Sequence, residues 1–311
     1  MGRLCVLKSW TVPIYLILTL FLSGCESLFF WPSKTLIPSP EFFNFTKQDR
    51  LFTAEDGTLI HAWQLPTKEE KKGTIYFLHG NAQNLSYHIA NVYWLVEKGW
   101  EVVIIDYRGY GQSVGEPDFM SVQKDALAGY QALLNERSDN RPMIVWGQSL
   151  GASIAINMVA SLPFSERPQG LIIDSSFSSY QKIMQETLGK SWLTWLFQYP
   201  LSRLITPAYD PVQAISKIEQ VPLLIVHSEN DLLISSNHAE ILFEKANDPK
   251  ELWLSQQKGH IKIWNNKIWR EKLTCQLTNW PVLQQFQQAC LFDQKDLLES
   301  SAKEAYSKRI N

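Results

Sequence analysis

The sequence predicts an α/β domain built on a doubly wound, largely parallel sheet with an antiparallel start. Three observations predict it: short apolar runs recur along the chain, helix-length segments separate them, and a hairpin signal comes first. The hairpin pairs Gln48–Ala54 with Thr58–Leu65 around the turn Glu55-Asp56-Gly57. Thr74–Leu78, Glu101–Ile105, Met143–Trp146, Gly170–Ile173, Leu223–Val226 and Glu251–Leu254 follow. They are apolar almost throughout, as strands covered on both faces must be. Helices are expected over Leu85–Lys98, Ser121–Asn135, Leu150–Ser161, Ser236–Ala246 and Trp264–Leu277. Phe177–Asp210 is too long for a plain connection and carries Trp192, Trp195, Phe197 and Tyr199, so it reads as a small helical cap at about 177–210. The domain spans 47–290, and the mixed-charge residues 291–311 form an exposed helix or frayed tail.

Composition narrows the function. Of 311 residues, 45% are hydrophobic and 19% charged, which excludes a disordered or fibrous chain. A net charge of −2 lacks the basic face that a nucleic-acid partner requires. The 12 tryptophans and 11 tyrosines point to core packing or to apolar surface near lipid. Only Cys5, Cys25, Cys275 and Cys290 are present, with no CxxC pair, so neither a zinc ribbon nor a thioredoxin-like redox motif is supported.

Residues 1–24 read as an address. Arg3 and Lys8 precede the apolar run Ile14–Leu22, no acidic residue intervenes, and the run is short for a transmembrane span. Leu22-Ser23-Gly24-Cys25 resembles a bacterial lipobox, in which small residues precede a cysteine whose sulfur takes the lipid. Cleavage there would leave a chain from Cys25, anchored to membrane by several acyl chains, with a formal charge of −4. Glu26-Ser27 lacks the aspartate of an inner-membrane retention signal, favouring the outer membrane facing the periplasm. Residues 25–46 read as a tether with some apolar contacts onto the domain, and an oxidising compartment allows a Cys275–Cys290 disulfide.

The strongest local signal is Gly147-Gln148-Ser149-Leu150-Gly151, placed between a predicted strand and a helix of small residues. That is the context of a nucleophile elbow: the serine occupies a strained turn, its neighbours two residues away must be glycine, and the Leu150 amide is left to donate to an oxyanion. A second donor is expected after the strand Thr74–Leu78, in His79-Gly80-Asn81-Ala82, from the Asn81 amide with Ala82 as competitor. His79 is expected to brace that loop. Serine needs a base and the base an orienting carboxylate. His260, in the loop Lys258-Gly259-His260, is the one histidine of six late enough in the chain, and His61, His88 and His238 read as surface or packing residues. Asp231, after the strand Leu223–Val226, is the preferred carboxylate, with Glu229 and Asp174 as alternatives.

These motifs, with Asp106-Tyr107-Arg108-Gly109-Tyr110-Gly111-Gln112-Ser113, resemble the α/β-hydrolase superfamily, more narrowly its Bem46-like branch, close to serine-aminopeptidase-like and monoglyceride-lipase-like hydrolases. The resemblance covers roughly residues 48–265 and implies an α/β-hydrolase fold with an eight-stranded sheet, a Ser149/Asp231/His260 triad, no metal and no organic cofactor. Gln83 departs from it, standing where glycine is common, as does Ala152 after Gly151. Asp106 and Arg108 are expected to pair and hold their loop near the site. The expected activity is a membrane-anchored serine hydrolase cleaving acyl ester or thioester bonds of a small-molecule or acylated, lipid-like substrate. An aminopeptidase or amidase lacks a visible acidic cluster in the cap, and a non-catalytic envelope protein sits poorly with an intact Ser149, Asp231 and His260.

Overall fold

In the computed structural model of the chain, residues 29–37 and 46–280 are described. Residues 1–24, expected as a signal segment, lie outside the described residues, as do Cys25, Cys290 and the expected tail. The strands are β1 (Gln48–Thr53), β2 (Leu59–Leu65), β3 (Gly73–Leu78), β4 (Trp100–Ile105), β5 (Met143–Gln148), β6 (Gly170–Asp174), β7 (Leu223–Ser228) and β8 (Lys250–Ser255). They form one eight-stranded sheet in the order β1-β2-β4-β3-β5-β6-β7-β8. β1 with β2 and β2 with β4 pair antiparallel, and every later neighbour is parallel. The helices are α1 (Leu85–His88), α2 (Phe119–Glu136), α3 (Leu150–Ser161), α4 (Tyr180–Gly189), α5 (Gln198–Ser202), α6 (Pro211–Ala214), α7 (Asn237–Lys245) and α8 (Lys267–Asn279).

Alternation along the central strands fills both faces of the sheet. Tyr76, Val103 and Val145 enter one core with α2, α3 and α7, whereas Phe77, Ile104 and Trp146 enter the other with α8. α3 is buried on almost every side because its small residues let it lie close against the sheet. α2 starts two residues earlier than its apolar pattern suggests. The Asp118 carboxylate accepts from the Met120 and Ser121 amides at 2.9 and 2.8 Å, and Ser121 Oγ accepts from the Asp118 amide, closing a capping box. The segment expected as one helix from Leu85 to Lys98 is instead α1 followed by two 3₁₀ turns. The breaks let Asn91 turn its side chain to Gln148 Oε1, at 2.8 Å, behind the predicted elbow.

Tryptophan lies both in the core and on the surface. Trp63, Trp94, Trp100, Trp146, Trp253, Trp264, Trp269 and Trp280 are buried, while Trp31 and the cap residues Trp192 and Trp195 are exposed. Trp146 packs edge-on to Phe77 and Trp264, at centroid distances of 5.7 and 4.9 Å. No helix among the described residues is long and apolar enough to cross a membrane. Cys275, on α8, is disulfide-bonded.

The expected Asp106–Arg108 pair does not form. Arg108 forks instead onto Asp125 of α2, with Nη2 and Nε donating at 2.7 and 3.1 Å, and donates from Nη1 to Asp56 in the β1–β2 turn at 2.9 Å. Asp106 turns the other way, accepting from the Leu85 amide at 2.7 Å between His61 and His79. β4 ends at Ile105, and in the turn beyond it the strand rule that puts residues two apart on one face no longer applies. Asp125 is fully buried and burial raises its carboxyl, so removing its cation leaves a buried charge without its partner. Arg108→Ala is therefore expected to destabilise the fold by about 3–5 kcal/mol. Arg108→Lys should recover only part of that, because ammonium cannot fork. Urea denaturation measures both, and an alanine variant within about 1 kcal/mol of wild type would refute the assignment.

Candidate active site

Ser149 closes β5 and opens α3 in a backbone conformation of φ 54°, ψ −118°, a region that side chains rarely adopt. The flanking glycines are steric necessities. A Cβ on Gly151 would lie 2.1 Å from the Leu78 carbonyl oxygen, and one on Gly147 would lie 2.4 Å from the Gly151 carbonyl oxygen. The turn is pinned from the neighbouring strand, where the Asp174 carbonyl accepts from the Ser149 amide at 2.8 Å. The strain aims Oγ out of the sheet's carboxyl edge.

His260 reaches that hydroxyl. Its Nδ1 donates to Asp231 Oδ2 at 2.6 Å, leaving Nε2 to accept from Ser149 Oγ at 2.9 Å. Asp231 Oδ1 is held by the Leu233 and Ile234 amides at 2.8 and 3.1 Å. Burial alone would raise the Asp231 carboxyl, yet the hydrogen bond and charge of His260 with those two amides hold it below the ordinary carboxylate range. Gly259, at φ +100°, turns the histidine loop, and its amide donates to the Asn230 carbonyl at 3.2 Å, tying that loop to the one bearing Asp231. The structure thus brings Ser149, His260 and Asp231 into one hydrogen-bonded chain.

The other carboxylate candidates stand elsewhere. Glu229 is bonded to the Gln256 side chain. Asp174 is fully buried beneath the elbow, accepting from Gln148 Nε2 and Trp264 Nε1 at 2.7 Å each and from Ser175 Oγ at 3.0 Å. Burial raises its carboxyl against those donors. Its role is to hold Gln148, the residue before Ser149, which no local motif announced.

The loop after β3 packs against the elbow: a Cβ on Gly80 would sit 3.3 Å from Ser149 Cβ. Within it the Ala82 amide is already given to the Asn81 side-chain oxygen at 2.7 Å. The Asn81 and Leu150 amides have no acceptor among the described residues. Ala82 and Gln83 both adopt positive φ, at 63° and 61°, so Gln83 occupies a backbone geometry that explains why glycine is common there. His79 Nδ1 donates to the Gly80 carbonyl at 2.7 Å, and its ring stacks on His88 at 5.1 Å. Both histidines therefore lie under this loop.

None of the three histidines read as surface or packing residues is on the surface. His61 bonds Asp49 at 2.9 Å, and His88 Nε2 donates to the Ala82 carbonyl at 3.2 Å. His238 on α7 accepts from Ser178 Oγ at 2.8 Å and donates to Glu186 of α4 at 3.1 Å, joining cap to core. The cap comprises α4, a 3₁₀ turn at Trp195–Phe197 and α5. Between it and the Asp231 loop lies a cleft of about 470 Å³ lined by Glu186, Lys190, Glu229, Asp231 and Leu232. Glu186 of the cap and Glu229 of the facing loop thus line one cleft together with Lys190, although the two carboxylates are far apart in sequence. No group of three or more His, Cys, Asp or Glu side chains among the described residues is arranged to hold a metal ion.

The sheet order, the strained serine turn and the His260 loop together define an α/β-hydrolase. The family model for serine aminopeptidase, S33, matches residues 69–219. The chain is 29% identical over 259 residues to the uncharacterized protein YfhR of Escherichia coli O157:H7, covering 79% of this chain and 85% of that protein. It is 26% identical over 234 residues to protein bem46 of Schizosaccharomyces pombe, covering 73% and 74%. The esterase Pf2001 of Pyrococcus furiosus superposes with a TM-score of 0.64 at 19% identity, over 81% of this chain and 97% of that one, a likeness of fold. The chain has the α/β-hydrolase fold, and in sequence it is similar to Bem46-like proteins.

One buried histidine has a consequence for stability. Burial, then the neighbouring His79, pushes the His88 imidazole from its ordinary 6.5 down to about 3. Between those values the unfolded chain takes up a proton that the folded one does not, so stability falls as pH falls from about 6.5 towards 3. The contribution is up to about 1.4 kcal/mol per pH unit. His88→Gln keeps a donor for the Ala82 carbonyl and should flatten that part of the pH–stability curve. Urea midpoints taken within and above the window check it, and an unchanged slope would show that His88 titrates normally.

Proposed function

We propose that this hydrolase is an envelope-anchored serine hydrolase that cleaves acyl ester or thioester bonds through an acyl-enzyme. The observation that carries the reading is the continuous chain from Ser149 Oγ through His260 to Asp231, built on a strained elbow. Ser149 attacks the carbonyl while His260 Nε2 takes its proton and Asp231 fixes the imidazole tautomer. The Asn81 and Leu150 amides receive the oxyanion, each worth about 3–4 kcal/mol. His260 then returns the proton to the leaving group, and water enters to release the acyl chain.

The preference for hydrophobic acyl groups rests on the cap, where Trp192 is 80% exposed and Trp195 and Phe197 about half exposed. Exposed aromatics gathered beside a site favour an apolar partner. Membrane attachment through Cys25 rests on the lipobox, and Cys25 stands four residues before Phe29. At about 3.5 Å per residue its lipid would keep the domain within about 14 Å of the bilayer surface. A second reading, aminopeptidase or amidase action, draws on the S33 match and on Glu186 and Glu229 in the cleft beside Asp231, which suit a substrate amine.

The test is fluorophosphonate labelling of the full chain in detergent beside Ser149→Ala, with short and long acyl esters, acyl thioesters and aminoacyl anilides as substrates. Labelling of wild type alone, with turnover lowered about 10⁴-fold or more by Ser149→Ala, is expected. Thioester or ester turnover rising with chain length supports the apolar reading, and anilide turnover alone would move the aminopeptidase forward. Equal labelling of both proteins, or undiminished turnover by the variant, would sink the nucleophile assignment.

A further inference from the structure

The segment Phe29–Ile37, read from sequence as tether, is laid across the loop that carries the Asn81 amide. Phe30 is buried against Phe119 at a centroid distance of 5.6 Å, which seats the segment in the main core. Beyond it Pro32 forms a β-bridge with Gln83, and the Ser33 amide donates to the Gln83 carbonyl at 3.0 Å. Asn84 Nδ2 grips the Ser33 and Thr35 carbonyls at 2.9 and 2.8 Å. The Trp31 amide donates to Asn81 Oδ1 at 2.9 Å, the same oxygen that takes the Ala82 amide and the Tyr110 hydroxyl.

These contacts fall on the strained part of the loop. Ala82 and Gln83 hold positive φ without being glycine, and such conformations persist only where surrounding structure over-determines them. The segment supplies that determination from outside, one bond to each end of the turn. It also engages the side chain of Asn81, the residue whose amide is left without an acceptor among the described residues.

Resting on the hydrolase reading above, we infer that Phe29–Ile37 is a positioning element of the active site: through the Trp31 amide and the Ser33–Gln83 pairing it fixes the oxyanion-binding amide of Asn81. Trp31 and Ser33 touch no reacting atom and act through Asn81 and Gln83. The chain that leads from the proposed lipid-bearing cysteine is thereby continuous with the catalytic machinery, and anchoring and catalysis share one strand of backbone.

The test uses the full chain in detergent with three variants. Trp31→Pro removes the amide hydrogen given to Asn81, Trp31→Ala keeps it, and Asn84→Ser keeps a helix-capping oxygen while releasing the two carbonyls. For Trp31→Pro and Asn84→Ser, kcat should fall on the order of 10- to 100-fold with KM within about twofold. Affinity for a trifluoromethyl ketone, whose adduct carries an oxyanion, should weaken by the same factor. Trp31→Ala should stay within about twofold of wild type on both readouts. A purely structural role would move the thermal midpoint and the fraction of active sites without this matched loss. Unchanged kcat in Asn84→Ser, or a kcat loss with unchanged ketone affinity in either variant, overturns the inference even if Trp31→Pro fails to fold. Wild type that neither turns over acyl substrates nor takes fluorophosphonate defeats the underlying hydrolase reading instead.

Discussion

The conformation of one residue constrains everything around the site. Holding Ser149 at φ 54° costs on the order of 1–3 kcal/mol, and the cost is met only because the surroundings leave no alternative. The Ser149 amide is committed to the Asp174 carbonyl, and α3 packs so closely on β3 that position 151 tolerates only glycine. Gln148 is clamped between Asn91 and the Asp174 carboxylate, which Trp264 also holds. The elbow is thus the point at which β5, β6, α3 and the turn before α8 agree on one geometry. A looser frame would let the serine relax and withdraw its hydroxyl from His260.

That frame explains which parts of the site are legible in sequence. Local sterics write local motifs: glycine at 147 is dictated by atoms one turn on, and although glycine at 151 answers to the β3 backbone, the strand–turn–helix string still announces it. Chain order with strand-end placement does nearly as well for Asp231 and His260, because parallel strands deliver their carboxyl ends to one edge. The strands are legible by the same logic, the apolar runs being long enough to declare themselves, whereas their order in the sheet is not. What stays hidden is support that crosses the chain. Asp174 holds Trp264 across 90 residues, Arg108 chooses Asp125 over the nearer Asp106, and Asn84 grips Ser33 across 51. Such pairings carry no period and no spacing rule, since any buried carboxylate accepts any donor that packing brings near.

The histidines make the same point by burial. His61, His79, His88, His227 and His238 are all buried, and each ring satisfies a backbone or carboxylate partner. His260 differs in being partly open to solvent with its Nε2 turned to a hydroxyl. Composition cannot separate these uses. An imidazole in a core is a compact donor and acceptor, and only its exposure and the partner of its second nitrogen mark it for proton transfer.

Three parts of the molecule that meet nowhere in sequence converge on Tyr180. Its ring packs against Phe29 of the entry segment at 5.3 Å, Phe119 of α2 at 4.4 Å and Phe177 at the root of the cap at 4.7 Å. Its hydroxyl takes a hydrogen bond from Ser153, one turn into the elbow helix, at 3.0 Å, and Asp210 at the far end of the cap accepts from its amide at 2.7 Å. Packed aromatics transmit displacement because a close-packed interior has few ways to absorb it. A shift of the cap would therefore press on the same cluster that seats the entry segment, and through that segment on the Asn81 turn. Cap, entry segment and elbow share one aromatic joint, so the site is best regarded as a single mechanical unit whose parts the chain contributes from both ends of the fold.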